Sequence, residues 1–140
     1  MKYKFLKHTA DIKFRAFGKT LNEAFENSAI AMFQVMYSGK IKSKIKKKLE
    51  IKGKDLESLL YNFLEELLVY LDSEDFFLSK VKVKMNKPIA SQDSLKLEAE
   101  ISGDKTKNYE IGLSIKAVTY HSMIIKKSNG QWFTQVVLDV

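Results

Sequence analysis

The sequence predicts an α+β fold, a two-layer sandwich with two helices on one face of a largely antiparallel sheet. Three observations carry this: two long stretches repeat apolar residues at helical spacing, several shorter ones alternate apolar with polar residues, and the order runs two strands, helix, strand, helix, then strands only. At 140 residues and 45% hydrophobic content the chain reads as one domain, 1–140, able to close a single core.

The elements follow in order. "KYKF" sets Tyr3 and Phe5 on one face, and "IKFRAF" does the same with Ile12, Phe14 and Ala16, so two strands flank the turn "HTAD". Gly18 ends the second strand. Thr20 with Glu23 makes a capping box, and Leu21, Ala24, Phe25, Ser28, Met32 and Met36 recur as one helical face up to about Tyr37. Ile41, Ile45, Leu49 and Ile51 then alternate with lysines as a strand with a cationic outer face. Asp55 caps a second helix whose stripe is Leu56, Leu59, Leu60, Phe63, Leu64, Leu67, Leu68 and Leu71. After "DSED", Phe77, Val81, Val83 and Met85 form a strand that Pro88 ends. Strands are expected at about Leu95–Ile101, Ile111–Val118, Tyr120–Lys126 and Trp132–Leu138, with Asn-Gly in "SNG" turning the last two into a hairpin.

Composition narrows the function. The chain has no cysteine, which excludes disulfides and thiolate zinc sites and fits a reducing, cytoplasmic setting. No stretch approaches the roughly 20 apolar residues of a membrane span, and the lysine-interrupted start does not read as a signal peptide. The net charge is +7, and the eight lysines and one glutamate from Lys40 to Lys54 account for all of it. There is no Gly-rich phosphate loop, G-x-S-x-G elbow, H-E-x-x-H or cysteine nucleophile, so ordinary catalysis is disfavoured.

What remains is a sparse set of polar residues at strand ends. Asp11 lies in a turn, where an aspartate commonly accepts backbone hydrogen bonds, and Asp139 could equally be a solvated acid at the end of a strand. If the first and last strands are neighbours, however, the two acids converge beside the terminal carboxylate of Val140. Clustered carboxylates repel unless a cation sits among them, and oxygen donors suit Mg²⁺, Mn²⁺ or Ca²⁺. His8, three residues before Asp11, could add a nitrogen. His121 reads as structural. The lysine strand is either a solvated face or a phosphate-contacting one, and it has no adjacent aromatic series to stack bases.

"HTADI", "LNEAFENSAIAMFQVMY", "LESLLYNFLEELLVYLD", "IKAVTYHSMIIKK" and a closing "W…VVLDV", in this order, together resemble the archease family over almost the whole chain. The resemblance implies a non-enzyme, an activator of the GTP-dependent, metal-dependent RNA ligase that joins tRNA exons, promoting its guanylylation and multiple turnover. It implies that Asp11 and Asp139 bind the divalent metal ion, and that RNA is met through the ligase. Similar proteins often carry Gly-Glu between the late strands. Here "SGDKTKNYEIG" offers Asp104 in place of the glutamate. Lys46, Lys48 and Lys116 are candidates for partner or phosphate contact. The competing readings are a small basic RNA-binding protein using the Lys40–Lys54 strand and, more remotely, a metal-dependent hydrolase.

Overall fold

The computed structural model describes residues 1–6, 11–86 and 94–140. Its elements are β1 (Tyr3–Leu6), β2 (Ile12–Gly18), α1 (Leu21–Met36), β3 (Ile45–Gly53), α2 (Leu56–Glu74), β4 (Phe76–Met85), β5 (Leu95–Lys105), a 3₁₀ turn (Thr106–Asn108), β6 (Ala117–Ser128) and β7 (Gln131–Asp139). The α+β class holds, and every strand pair is antiparallel. The strands divide between two sheets, in the orders β1-β2-β7-β6 and β3-β5-β4. The first and last parts of the chain therefore build one sheet and the middle builds the other.

Each helix packs on strands of both sheets, α1 on β2 and β4, α2 on β3 and β6. The pattern of the strands explains which face they cover. Phe14 and Ala16 of β2 and Thr134, Val136 and Leu138 of β7 are buried, as are Leu49, Ile51, Leu97, Ala99 and Ile101 of the three-stranded sheet. They join Phe25, Phe33, Leu60, Phe63, Leu64 and Leu67 of the helices in one continuous apolar cluster. One layer is helical and the other is made of the two sheets; the outer face of the three-stranded sheet is polar, whereas that of the four-stranded sheet carries Phe17, Phe133 and the buried Val137.

The caps are as the sequence indicates. Thr20 Oγ1 accepts from the Glu23 N–H at 3.1 Å, while the Glu23 carboxylate reaches back to the Lys19 N–H at 2.8 Å. Asp55 and Ser58 form a reciprocal box on α2, which ends in left-handed Asp75 (φ 53°). Asn129 and Gly130 both have positive φ (53° and 75°), as the two-residue hairpin between β6 and β7 requires.

Three expectations are corrected. Residues 111–116 are not a strand: Gly112 donates to the Met36 carbonyl instead, and β6 begins at Ala117. The alternation of Ile111, Leu113 and Ile115 reports burial against the core and not strand pairing. The basic strand begins at Ile45, because the backbone just before it is held by side chains, Lys42 N–H by the Tyr109 hydroxyl and the Ile41 carbonyl by Ser79. Lastly, Asp75 alone makes the turn after α2, which runs on through "DSE". The "HTA" part of the first turn and Pro88 lie outside the described residues.

One edge strand of each sheet, β6 and β4, receives a side-chain acceptor from a helix. Glu65 of α2 accepts from the Val118 N–H at 2.7 Å, and Glu26 of α1 accepts from the Val83 N–H at 2.7 Å. An edge strand leaves one row of backbone groups without a strand partner, and these carboxylates satisfy it where the edge is buried. Burial pushes the Glu26 carboxyl above the usual carboxylate range, against the lowering effect of its Val83 hydrogen bond.

Candidate functional site

In the four-stranded sheet β2 and β7 are central neighbours, and their ladder ends at the pair Ile12–Leu138. Asp11 immediately precedes the first of these residues and Asp139 immediately follows the second. Asp11 lies in a bend at the start of β2 and Asp139 is the last residue of β7, so the two acids flank the same end of the ladder. Asp11 is half-buried and Asp139 exposed.

Strand β6 closes the other side of Asp139. Ala117 pairs with Asp139, and the Lys116 N–H donates to the Asp139 carbonyl at 2.8 Å. Lys116 itself is exposed and adjoins the pair of acids in sequence register, while Val140 is half-buried. Then β6 leaves the ladder: Thr119 pairs with Val137 and Ile124 with Gln135, so Tyr120 to Met123 bulge out opposite Val136. Ser122 takes a left-handed backbone (φ 54°) at the crest.

The bulge is pinned from inside. Thr119 donates to the Val137 carbonyl at 2.9 Å, its oxygen receives the His121 N–H at 3.3 Å, and Gln135 donates to the Ser122 carbonyl at 2.8 Å. Arg15 holds the same Gln135 through a 2.9 Å bond and lies over the Phe133 ring. Tyr120 stacks on Tyr61 of α2 at 4.3 Å. Much of "KAVTYH" thus shapes one rim of the Asp139 end of the sheet.

Among the described residues no group of three or more His, Asp or Glu converges on a point that could hold a metal ion. His8 lies outside the described residues. Carboxylates are oxygen donors, which suit a hard divalent cation.

Asp104 belongs elsewhere. It sits on β5 opposite Phe77 in the three-stranded sheet, 3% exposed, and its oxygens accept from the Tyr109 hydroxyl (2.8 Å), the Lys105 N–H and Asn108. The Tyr109 hydrogen bond above all holds its carboxyl below the usual range. Its oxygens hold the 3₁₀ turn that follows, a structural task. Lys46 and Lys48 are exposed on β3, in the other sheet from the aspartates. Glu65, Thr119 and Gln135 are positioning residues that the linear sequence did not single out. The one signal for Glu65 was an acid beside the apolar stripe of α2.

Helices over paired antiparallel sheets, with an aspartate from near each end of the chain flanking the end of the central β2–β7 ladder, define a class of small helix-over-sheet proteins. Residues 3–140 match the model of the Archease protein family (MTH1598/TM1083). The protein archease of Pyrococcus abyssi is 44% identical, covering 95% of this chain and 94% of that one; the protein archease of Sulfurisphaera tokodaii is 41% identical over 99% of each. The chain belongs to the archease family. The solution structure of Methanobacterium thermoautotrophicum protein 1598 superposes with a TM-score of 0.85 at 37% identity over 99% of both chains. The crystal structure of an archease, titled a possible chaperone, from Thermotoga maritima shares the fold at a TM-score of 0.61 and 20% identity, covering 98% of this chain and 96% of that one.

Proposed function

We propose that this chain is a non-catalytic activator of the GTP-dependent RNA ligase that joins tRNA exons, and that Asp11 and Asp139 hold a divalent cation, Ca²⁺, Mg²⁺ or Mn²⁺, used in that role. The observation that supports the reading is the ladder of β2 against β7, whose terminal pair Ile12–Leu138 adjoins Asp11 on one strand and Asp139 on the other, two acids separated by almost the whole chain. Carboxylates near one another at a strand end are a natural seat for a divalent cation.

Transfer of GMP to a ligase histidine needs the charge of the GTP phosphates neutralised and the α-phosphate aligned, which a divalent cation supplies when bound. The chain's own residues do the positioning. Asp11 and Asp139 present their carboxylates from a rigid central ladder, at the exposed end of the sheet. Lys116, on the same rim, adds a positive charge that favours an anionic partner surface. The bulge of Tyr120 to Met123, fixed by Thr119, Gln135 and Arg15, gives that rim a set shape for docking.

The test is guanylylation of purified ligase with and without this chain. Wild type should raise both the rate of the first guanylylation and the number of turnovers, and Asp139→Asn should abolish stimulation while binding to the ligase persists. Hydrolysis of phosphoesters by the chain alone would favour the hydrolase reading instead.

A further inference from the structure

The outer face of the three-stranded sheet carries a charge pattern that the ligase reading does not use. Its cross-strand rows, read from β3 through β5 to β4, are Lys46–Ser102–Lys80, Lys48–Glu100–Lys82 and Glu50–Glu98–Lys84, with Lys52–Lys96 beyond them. The far half is internally neutralised, since Lys96 pairs with Glu50 at 3.1 Å and Glu98 at 3.8 Å. The near half is not. Lys46, Lys48, Lys80 and Lys82 are all exposed, none forms an ion pair among the described residues, and Glu100 is the one acid between them. Lys47, between Lys46 and Lys48 in sequence, points the other way, to Glu74 at 2.6 Å and the Tyr70 ring. The free lysines line a shallow trough with Ser102 at its floor.

The geometry is that of two parallel rows of ammonium groups. Within a row the lysines are two residues apart on one strand, about 6.7 Å, and the rows are two strand spacings apart, about 9.6 Å. That first interval is comparable to the step between successive phosphates along one nucleic-acid strand. The face carries none of the exposed large hydrophobic side chains, which are Met1, Phe5, Val69 and Tyr120. A protein interface needs an apolar centre of that kind, whereas phosphodiester contact needs charge alone. The face also has no aromatic ring for base stacking, so recognition there is independent of sequence.

We infer that Lys46, Lys48, Lys80 and Lys82 form a binding face for the phosphodiester backbone of RNA. The choice of RNA over DNA rests on the proposed ligase role, and the face lies on the other sheet from the paired aspartates, so both could be engaged together. In the complex the face would hold the RNA strand beside the ligase while the aspartate end of the molecule is docked.

The test is fluorescence anisotropy of a short labelled single-stranded RNA with the purified chain, titrated at several salt concentrations. Four phosphate contacts at about −0.7 each predict a slope of log K against log salt of about −3, or about fifty-fold weaker binding at 200 than at 50 mM salt. The combined variant Lys46→Gln, Lys48→Gln, Lys80→Gln, Lys82→Gln should bind at least about tenfold more weakly at low salt, with a slope near zero. A control with the same loss of charge, Lys19→Gln, Lys107→Gln, Lys126→Gln, Lys127→Gln, should retain most of the affinity and the slope. Equal losses in the two variants, or polyglutamate bound as tightly as RNA, would overturn the inference. Tighter binding of DNA than of RNA would overturn the choice of RNA. Ligase stimulation is read separately. A chain that binds RNA through these lysines yet never stimulates the ligase would remove the proposed function and leave the phosphate face standing, and the converse result would do the opposite.

Discussion

Replacing Glu65 by alanine tests how the helix layer holds the edge of the sheet beside the paired acids. Glu65 accepts the Val118 N–H at 2.7 Å, and Val118 is 2% exposed, one residue from Ala117, the partner of Asp139. Truncation leaves a buried N–H without its acceptor, a loss of about 1 to 3 kcal/mol. With an unfolding entropy of about 2.1 cal/mol/K per residue, 140 residues give about 0.29 kcal/mol/K, so a central loss of about 2 kcal/mol lowers Tm by about 7 °C. The conservative Glu65→Gln keeps an acceptor oxygen at the same reach and should recover most of that stability. Thermal melts of both variants, with amide hydrogen exchange at Val118, provide the assay. If Glu65→Ala melted within about 2 °C of wild type and Val118 stayed equally protected, the carboxylate would not be holding the edge of β6, and the reasoning would be wrong.

Other consequences are as direct. Leu64, fully buried between helix and sheet, should cost about 2 to 5 kcal/mol on replacement by alanine, measured by urea unfolding with an unchanged m-value. Divalent cations should raise Tm with the logarithm of their concentration once it exceeds Kd, and the rise should vanish in Asp11→Asn and in Asp139→Asn while both remain folded. The Tyr109 hydrogen bond holds the Asp104 carboxyl below its ordinary value, so its stabilisation is present above the ordinary aspartate range and is lost as pH falls through the lower folded value. Asp104→Asn should therefore flatten the loss of Tm on acidification below about pH 4.

The parts of this molecule that were legible in the sequence are those dictated by local chemistry. The apolar stripe of α2, the Thr20 and Asp55 caps and the Asn129-Gly130 turn each follow from residues within a few positions of one another. A meeting of Asp11 and Asp139 was legible only as a condition, that the first and last strands be neighbours; β2 and β7 are neighbours, and the metal role of the two acids came from the resemblance alone. Pairing was harder to read. Ile111, Leu113 and Ile115 alternate as a strand would, yet that backbone bonds to Met36, because alternation registers which side faces the core and says nothing about which chain lies alongside. The lysine face was visible only by half: Lys46 and Lys48 stand out in a basic run, whereas Lys80 and Lys82 join them through β5, a neighbour no linear pattern announces. The bulge of Tyr120 to Met123 was hidden for the same reason. It is made by a register change against β7, and its apolar and polar residues read equally well as continuous strand.

The proposed role stands most directly on one measurement: single-turnover guanylylation of purified ligase with limiting divalent metal, with saturating wild-type chain, Asp139→Asn chain, or none. The account predicts rapid guanylylation with wild type and a rate with Asp139→Asn no higher than with no added chain, although Asp139→Asn competes with wild type for the ligase. Stimulation by Asp139→Asn equal to that by wild type would contradict it.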